Sequence, residues 1–120
     1  MSNTLPSHVI SFSNPELVPI EREISDPALV DAPYHSSTWR HFVEPGKKAV
    51  AGIWEAGPHL ERCTCDYDEL CHILEGTVRL TDATGASRIF GAGDSFVVAS
   101  GFNGTWENLS NVRKVYFILG

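Results

Sequence analysis

The chain has 120 residues, 42% of them apolar, with fifteen acidic against nine basic side chains and a formal charge of −6. That length suits one domain with a core of its own. No apolar run approaches the 18 residues of a membrane span, and Lys and Arg are scattered apart from Lys47-Lys48, so neither a membrane nor a nucleic acid is an expected partner. Met1–Pro6 shows neither a basic start nor an apolar block, and the three cysteines, Cys63, Cys65 and Cys71, are odd in number and clustered. These features fit a reducing compartment, and the expected location is cytoplasmic.

Residues 1–36 hold five of the seven prolines, which forbids a long helix and predicts an extended N-terminal arm. Short strands are expected there at His8–Phe12 and Leu17–Ile20. Such an arm either lies over its own domain or pairs with an edge strand of a second subunit, and a partly ordered tail is the plainer alternative. From 37 to 120 turn signals recur every eight to twelve residues, the rhythm of an antiparallel sandwich or barrel. Strands are predicted at Thr38–Val43, Lys48–Glu55, His59–Cys65, Tyr67–Leu74, Thr77–Thr81, Arg88–Phe90, Ser95–Ala99, Thr105–Leu109 and Val112–Leu119. Glu75-Gly76 reads as a hairpin joint between the two central strands. On Tyr67–Leu74, residues Glu69, Cys71 and Ile73 share one face and Leu70, His72 and Leu74 the other. Both faces carry bulk, which predicts cover on both sides.

Glu69 precedes Gly76 by a six-residue spacer, and Gly93-Asp94 follows some seventeen residues later, a spacing that resembles the two-motif signature of the cupin superfamily. The strings Asp68–Gly76, Phe90–Phe96, Gly101–Glu107 and Val112–Tyr116 occur in order and look like the cupin branch related to (S)-ureidoglycine aminohydrolase. The resemblance covers roughly 37–119. It implies an all-β double-stranded β-helix, that is, a jelly-roll (RmlC-like) cupin barrel, usually a homodimer, with any site inside the barrel mouth.

Metal-binding cupins take a His-x-His pair and a Glu from the first motif and one more His from the second. Here the His-x-His slots fall on Cys63 and Cys65, or on Arg62 and Thr64 with a longer spacer, and the second-motif slot falls on Gly104. The usual iron or manganese centre is therefore not expected. Cys63 and Cys65, two apart on a strand, point the same way, so with Glu69, Cys71 or His59 they compose a candidate zinc-type set. The alternative is that the thiols simply fill a core. Glu69 is the candidate acid or base, against a structural carboxylate paired with Arg62 or Arg88, or hydrogen bonded to Tyr67, Trp54 or Trp106. Glu61, Cys63, Cys65, Cys71, Trp54 and Trp106 are candidate ligand-binding residues. Trp39 joins Trp54 and Trp106 as a possible aromatic wall, and His72 reads as a packing or interface histidine. The expected function is binding of a small polar metabolite in the barrel, with acid/base chemistry at Glu69. The alternatives are a non-catalytic ligand-sensing or accessory module, or a soft-metal hydrolase related to ureidoglycine aminohydrolase.

Overall fold

Strict period-two alternation over short runs, punctuated by glycine and proline, leaves the chain one economical structure, strands that close on each other. The computed structural model describes residues 4–120. It contains β1 (Ile20–Ile24), β2 (Tyr34–Glu44), β3 (Ala49–Ala56), β4 (His59–Thr64), β5 (Asp68–Glu75), β6 (Thr77–Asp82), β7 (Ser87–Gly91), β8 (Ser95–Val98), β9 (Asn103–Asn108) and β10 (Val112–Leu119), with a single 3-10 turn at Pro45–Lys47. A six-stranded sheet runs β1-β2-β3-β10-β5-β8, and a four-stranded sheet runs β4-β9-β6-β7. All pairings are antiparallel. This is the all-β jelly roll that the resemblance implies. Among the described residues no helix is long and apolar enough to cross a membrane.

The core lies between the sheets. Cys71, Ile73 and Val78 are fully buried, Val112 and Trp106 nearly so, and Trp54, Phe90, Phe96 and Phe102 pack against them. Each such aliphatic side chain contributes about 1.5–3 kcal/mol by leaving water. Phe90 stacks on Phe96 at 4.0 Å, and Phe96 leans on Trp106 at 5.9 Å.

Three expectations are corrected. The joint at Glu75-Gly76 is not a hairpin. β5 pairs with β8 and β10 while β6 pairs with β7 and β9, so the chain crosses there from one sheet to the other. Gly76 makes that corner with φ +90, and a Cβ on it would lie 2.0 Å from the Asn111 carbonyl oxygen. Second, His8–Phe12 is not a strand: Val9 N–H bonds back to Pro6 O, and a turn forms instead. Third, Leu17–Pro19 is not strand: a turn at Pro15-Glu16 closes with Leu17 N–H donating to Asn14 O, and the strand begins only at Ile20, just past Pro19. The outward face of β5 is open within one chain, with Leu70 49% and Leu74 40% exposed, so its expected cover is one that only a partner supplies.

The expected division between arm and barrel at 36/37 falls inside β2, and β1 hydrogen-bonds to β2 along Ile20–Ile24. The segment joining β1 to β2 is held down by Arg62, whose guanidinium donates to Pro27 O, Ala28 O and Asp31 while Arg62 N–H donates to Leu29 O. Of Met1–Pro6, on which the expectation of no leader rests, residues 1–3 lie outside the described residues.

Gly76→Ala is expected to destabilise by at least about 2 kcal/mol, left-handed strain adding to a backbone collision. Urea denaturation checks it, and an unchanged midpoint would show that the corner rearranges freely.

Candidate functional site

β10 sits at the centre of the larger sheet, between β3 and β5, and its alternation turns Lys114 inward with Tyr116 and Ile118. Lys114 lies beside Trp54 on β3 and Ile73 on β5. A lysine so placed must satisfy its ammonium inside the barrel. Its Nζ donates to Glu69 Oε2 at 2.8 Å, with 8% of the lysine and 13% of the glutamate side chain exposed. The same Nζ lies 4.1 Å from the ring centre of Trp106 and 4.9 Å from that of Trp54, which meet edge to face. Cys71 Sγ is 3.8 Å from Nζ, and its thiol donates to Glu69 Oε2 at 3.4 Å. Trp106 is itself fixed: its indole N–H donates to Asn108 Oδ1 at 2.7 Å, and Asn108 donates to the carbonyls of Ala56 and Gly57.

This pair forms the floor of a cavity of about 380 Å³. Tyr116, Trp54 and Glu69 line it from the larger sheet, Glu61, Cys63 and Trp106 from the smaller, and Ile20, Arg22, Ile24 and Leu29 from β1 and the segment after it. Glu69 Oε2 takes both donors, while Oε1 has no hydrogen-bond partner among the described residues. The hydroxyls of Tyr67 and Tyr116, both in the lining, likewise have none. Glu61 Oε1 accepts from Tyr34 at 3.1 Å.

Burial is the largest influence on Lys114 and acts to lower its pKa, but the charge of Glu69 and its hydrogen bond to Nζ outweigh it and the net direction is up. The lysine therefore stays an ammonium. Burial pushes the Cys63 and Cys71 thiols up to about 12, raises Cys65, and with the Glu69 charge pushes Tyr67 up to about 12. At neutral pH these groups are protonated, and the thiols are poor nucleophiles.

Of the residues expected from sequence, Trp54, Glu61, Cys63, Cys65, Glu69 and Trp106 all line this one cavity, and Cys71 packs beneath it. His59 does not line it. It stacks on Tyr34 at 3.5 Å and bonds Gly57 O through Nδ1, its Nε2 buried without a partner. Trp39 is not in the lining either, with Arg113 5.2 Å over its ring. The cation on Glu69 is neither Arg62, which clamps the segment after β1, nor Arg88, which lies 5.0 Å over Phe90. His72 bonds Ser95 Oγ at 2.7 Å. The residue that sequence reasoning missed is Lys114. Its signal was a lone charge alternating with Val112 and Tyr116 on one face of a mostly apolar strand.

A conventional cupin metal does not fit these residues. Cys63 and Gly104 occupy two ligand slots and face each other across β4 and β9, and a Cβ on Gly104 would lie 1.9 Å from Thr81 O. The zinc-type set of Cys63, Cys65, Glu69 and His59 does not converge: among the described residues no three His, Cys, Asp or Glu side chains are grouped to hold an ion.

The model of the EutQ-like cupin domain matches residues 43–116. Among solved structures, the chain is similar to a DUF861-family protein of unknown function from Pseudomonas syringae (TM-score 0.77, 22% identity, 91% of this chain and 46% of that one). It is similar also to the EutQ protein of Clostridium difficile (TM-score 0.63, 17% identity, 72% of this chain and 63% of that one). A DUF861-family protein from Thermotoga maritima is 34% identical over 53% of this chain and 73% of its own, at TM-score 0.52. The chain thus spans 46% and 63% of the Pseudomonas and Clostridium proteins. No curated protein matches it.

The raised groups give a pH signature. Thiols and a phenol whose folded pKa exceeds the unfolded value lend stability that is complete below the unfolded values, roughly 8.5 for Cys and 10 for Tyr, and is lost as pH climbs toward the folded ones. Urea midpoints should decline from about pH 9 upward, and Cys63→Ala should flatten that decline.

Proposed function

The chain belongs to the EutQ-like cupin domain family, and from that premise we propose that its barrel binds a small polar metabolite over the Lys114–Glu69 pair. The observation that carries this is a cavity of about 380 Å³ into which Glu69 turns one oxygen that no donor among the described residues engages. Clefts of a few hundred Å³ that mix apolar walls with a few polar groups are the usual form of small-ligand sites. Trp54 and Trp106 supply the apolar wall, and the hydroxyls of Tyr67 and Tyr116 supply further hydrogen bonds. Glu61, Cys63 and Cys65 complete the contact set, and Cys71 supports Glu69 from below.

Acid/base chemistry at Glu69 is the catalytic form of this reading. Oε2 is held by two donors, which leaves Oε1 oriented to exchange a proton with a bound molecule. A ligand-sensing module is the non-catalytic form. Within the cupins we place the chain in the branch resembling (S)-ureidoglycine aminohydrolase, on its four ordered strings, and we place the protein in the cytoplasm.

A thermal-shift screen of amides, ureides, small acids and sugars, read alongside Trp fluorescence, tests binding. At least one class should raise the melting temperature and perturb the fluorescence, and no response from any class would remove the reading. If bound ligands are turned over and Glu69→Gln abolishes turnover with binding kept, the protein is an enzyme; ligands bound and never turned over leave the sensor.

A specific observation favours a homodimer as well. Phe42 and Phe117 are registered on Ala51, Phe117 on Leu70 and Leu70 on Val97, so one apolar row crosses the outer face of the larger sheet. Val97 is 60%, Leu70 49% and Phe117 41% exposed. A two-fold axis sets one such row against its own copy. Sedimentation should give a dimer that Leu70→Glu converts to a monomer; a wild-type monomer at high concentration would end that assignment.

A further inference from the structure

We propose that Lys114 is itself the cation of this barrel: a tethered ammonium held at the first-motif carboxylate, where the cupins that this chain resembles place a metal ion. The inference does not depend on whether the cavity binds a metabolite.

The ammonium has the surroundings of a built cation site. Glu69 Oε2 stands 2.8 Å away, two indole faces lie at 4.1 and 4.9 Å, and a thiol sulfur sits at 3.8 Å. These groups come from three strands besides β10: Trp54 from β3, Glu69 and Cys71 from β5, Trp106 from β9. A carboxylate together with aromatic faces is the combination that recognises ammonium groups. A buried ion pair is weak grounds for stability alone, since apolar side chains of similar volume often serve as well. A charged pair at the floor of an accessible cavity is better explained by what a cation does there. Nor does the site simply lack a metal it is ready to take. Gly104 leaves no room for a donor side chain against Thr81 O, and the one carboxylate at the slot is already engaged by Lys114.

The chemical consequence is specific. An ammonium carries one positive charge and donates hydrogen bonds, but it has no vacant coordination position and no redox change. Chemistry at this carboxylate then runs on hydrogen bonding, charge and proton transfer.

Chemical rescue tests this. Lys114→Ala removes the equivalent of propylammonium. Its melting temperature should fall by several degrees or more and be restored in part, saturably, by tens of millimolar propylammonium. Neither 1-propanol nor sodium chloride at matched concentration should restore it, and neither wild type nor Lys114→Met, which fills the space without the charge, should respond to the amine. Should Lys114→Ala not fold, refolding from urea in propylammonium against 1-propanol reads the same question by soluble yield. Zinc and manganese titrations of the wild type should leave its melting temperature unchanged. Equal rescue by propanol, no rescue by the amine, or stoichiometric stabilisation of the wild type by either ion overturns the proposal.

Discussion

One ammonium and one carboxylate taken out of water together constrain the interior of this molecule. Desolvating either alone is prohibitive, and leaving one unpaired after folding costs about 3–5 kcal/mol, a large share of a typical domain stability of about 5–15 kcal/mol. Lys114 and Glu69 therefore demand each other, and their strands must be neighbours in register. β10 against β5 supplies this, placing Ile118 opposite Glu69 and Lys114 opposite Ile73, with a register shift just before Lys114. The two tryptophans complete the shell, and Asn108 holds Trp106 by ties to the end of β3.

The same requirement explains why the cavity is polar at its floor and apolar in its walls. Ile73, Val78 and Val112 are buried in the core next to the pair, and Lys114 and Glu69 both line the cavity. The thiols near it are held protonated by burial. They add bulk and weak hydrogen bonds rather than charge, which leaves Lys114, Glu69 and Glu61, with Arg22 and Arg40, as the ionic groups of the lining.

Corners where the chain changes sheet set the overall shape. At Gly76 the backbone passes so close to Asn111 that no side chain fits, and the left-handed φ sends β6 into the opposite sheet. The β1 strand then extends the larger sheet beyond β2 and brings Ile20, Arg22 and Ile24 to the cavity edge, with Arg62 fixing the segment that follows. A segment rich in proline can do this because β1 is an edge strand, and Pro19 sits just outside its first residue.

Local pattern determined the strands from Thr38 onward and the inward face carrying Glu69, Cys71 and Ile73. These follow from alternation, which is a property of neighbouring residues. The tertiary structure alone decided that β5 and β6 belong to different sheets, that His8–Phe12 turns rather than extends, and that Lys114 rather than Arg62 or Arg88 meets Glu69. Residues 69 and 114 are far apart in sequence, and nothing local distinguishes a lysine that will face water from one enclosed by two indoles. Only closure of the barrel, which sets strands distant in sequence side by side, turns that residue inward onto its carboxylate.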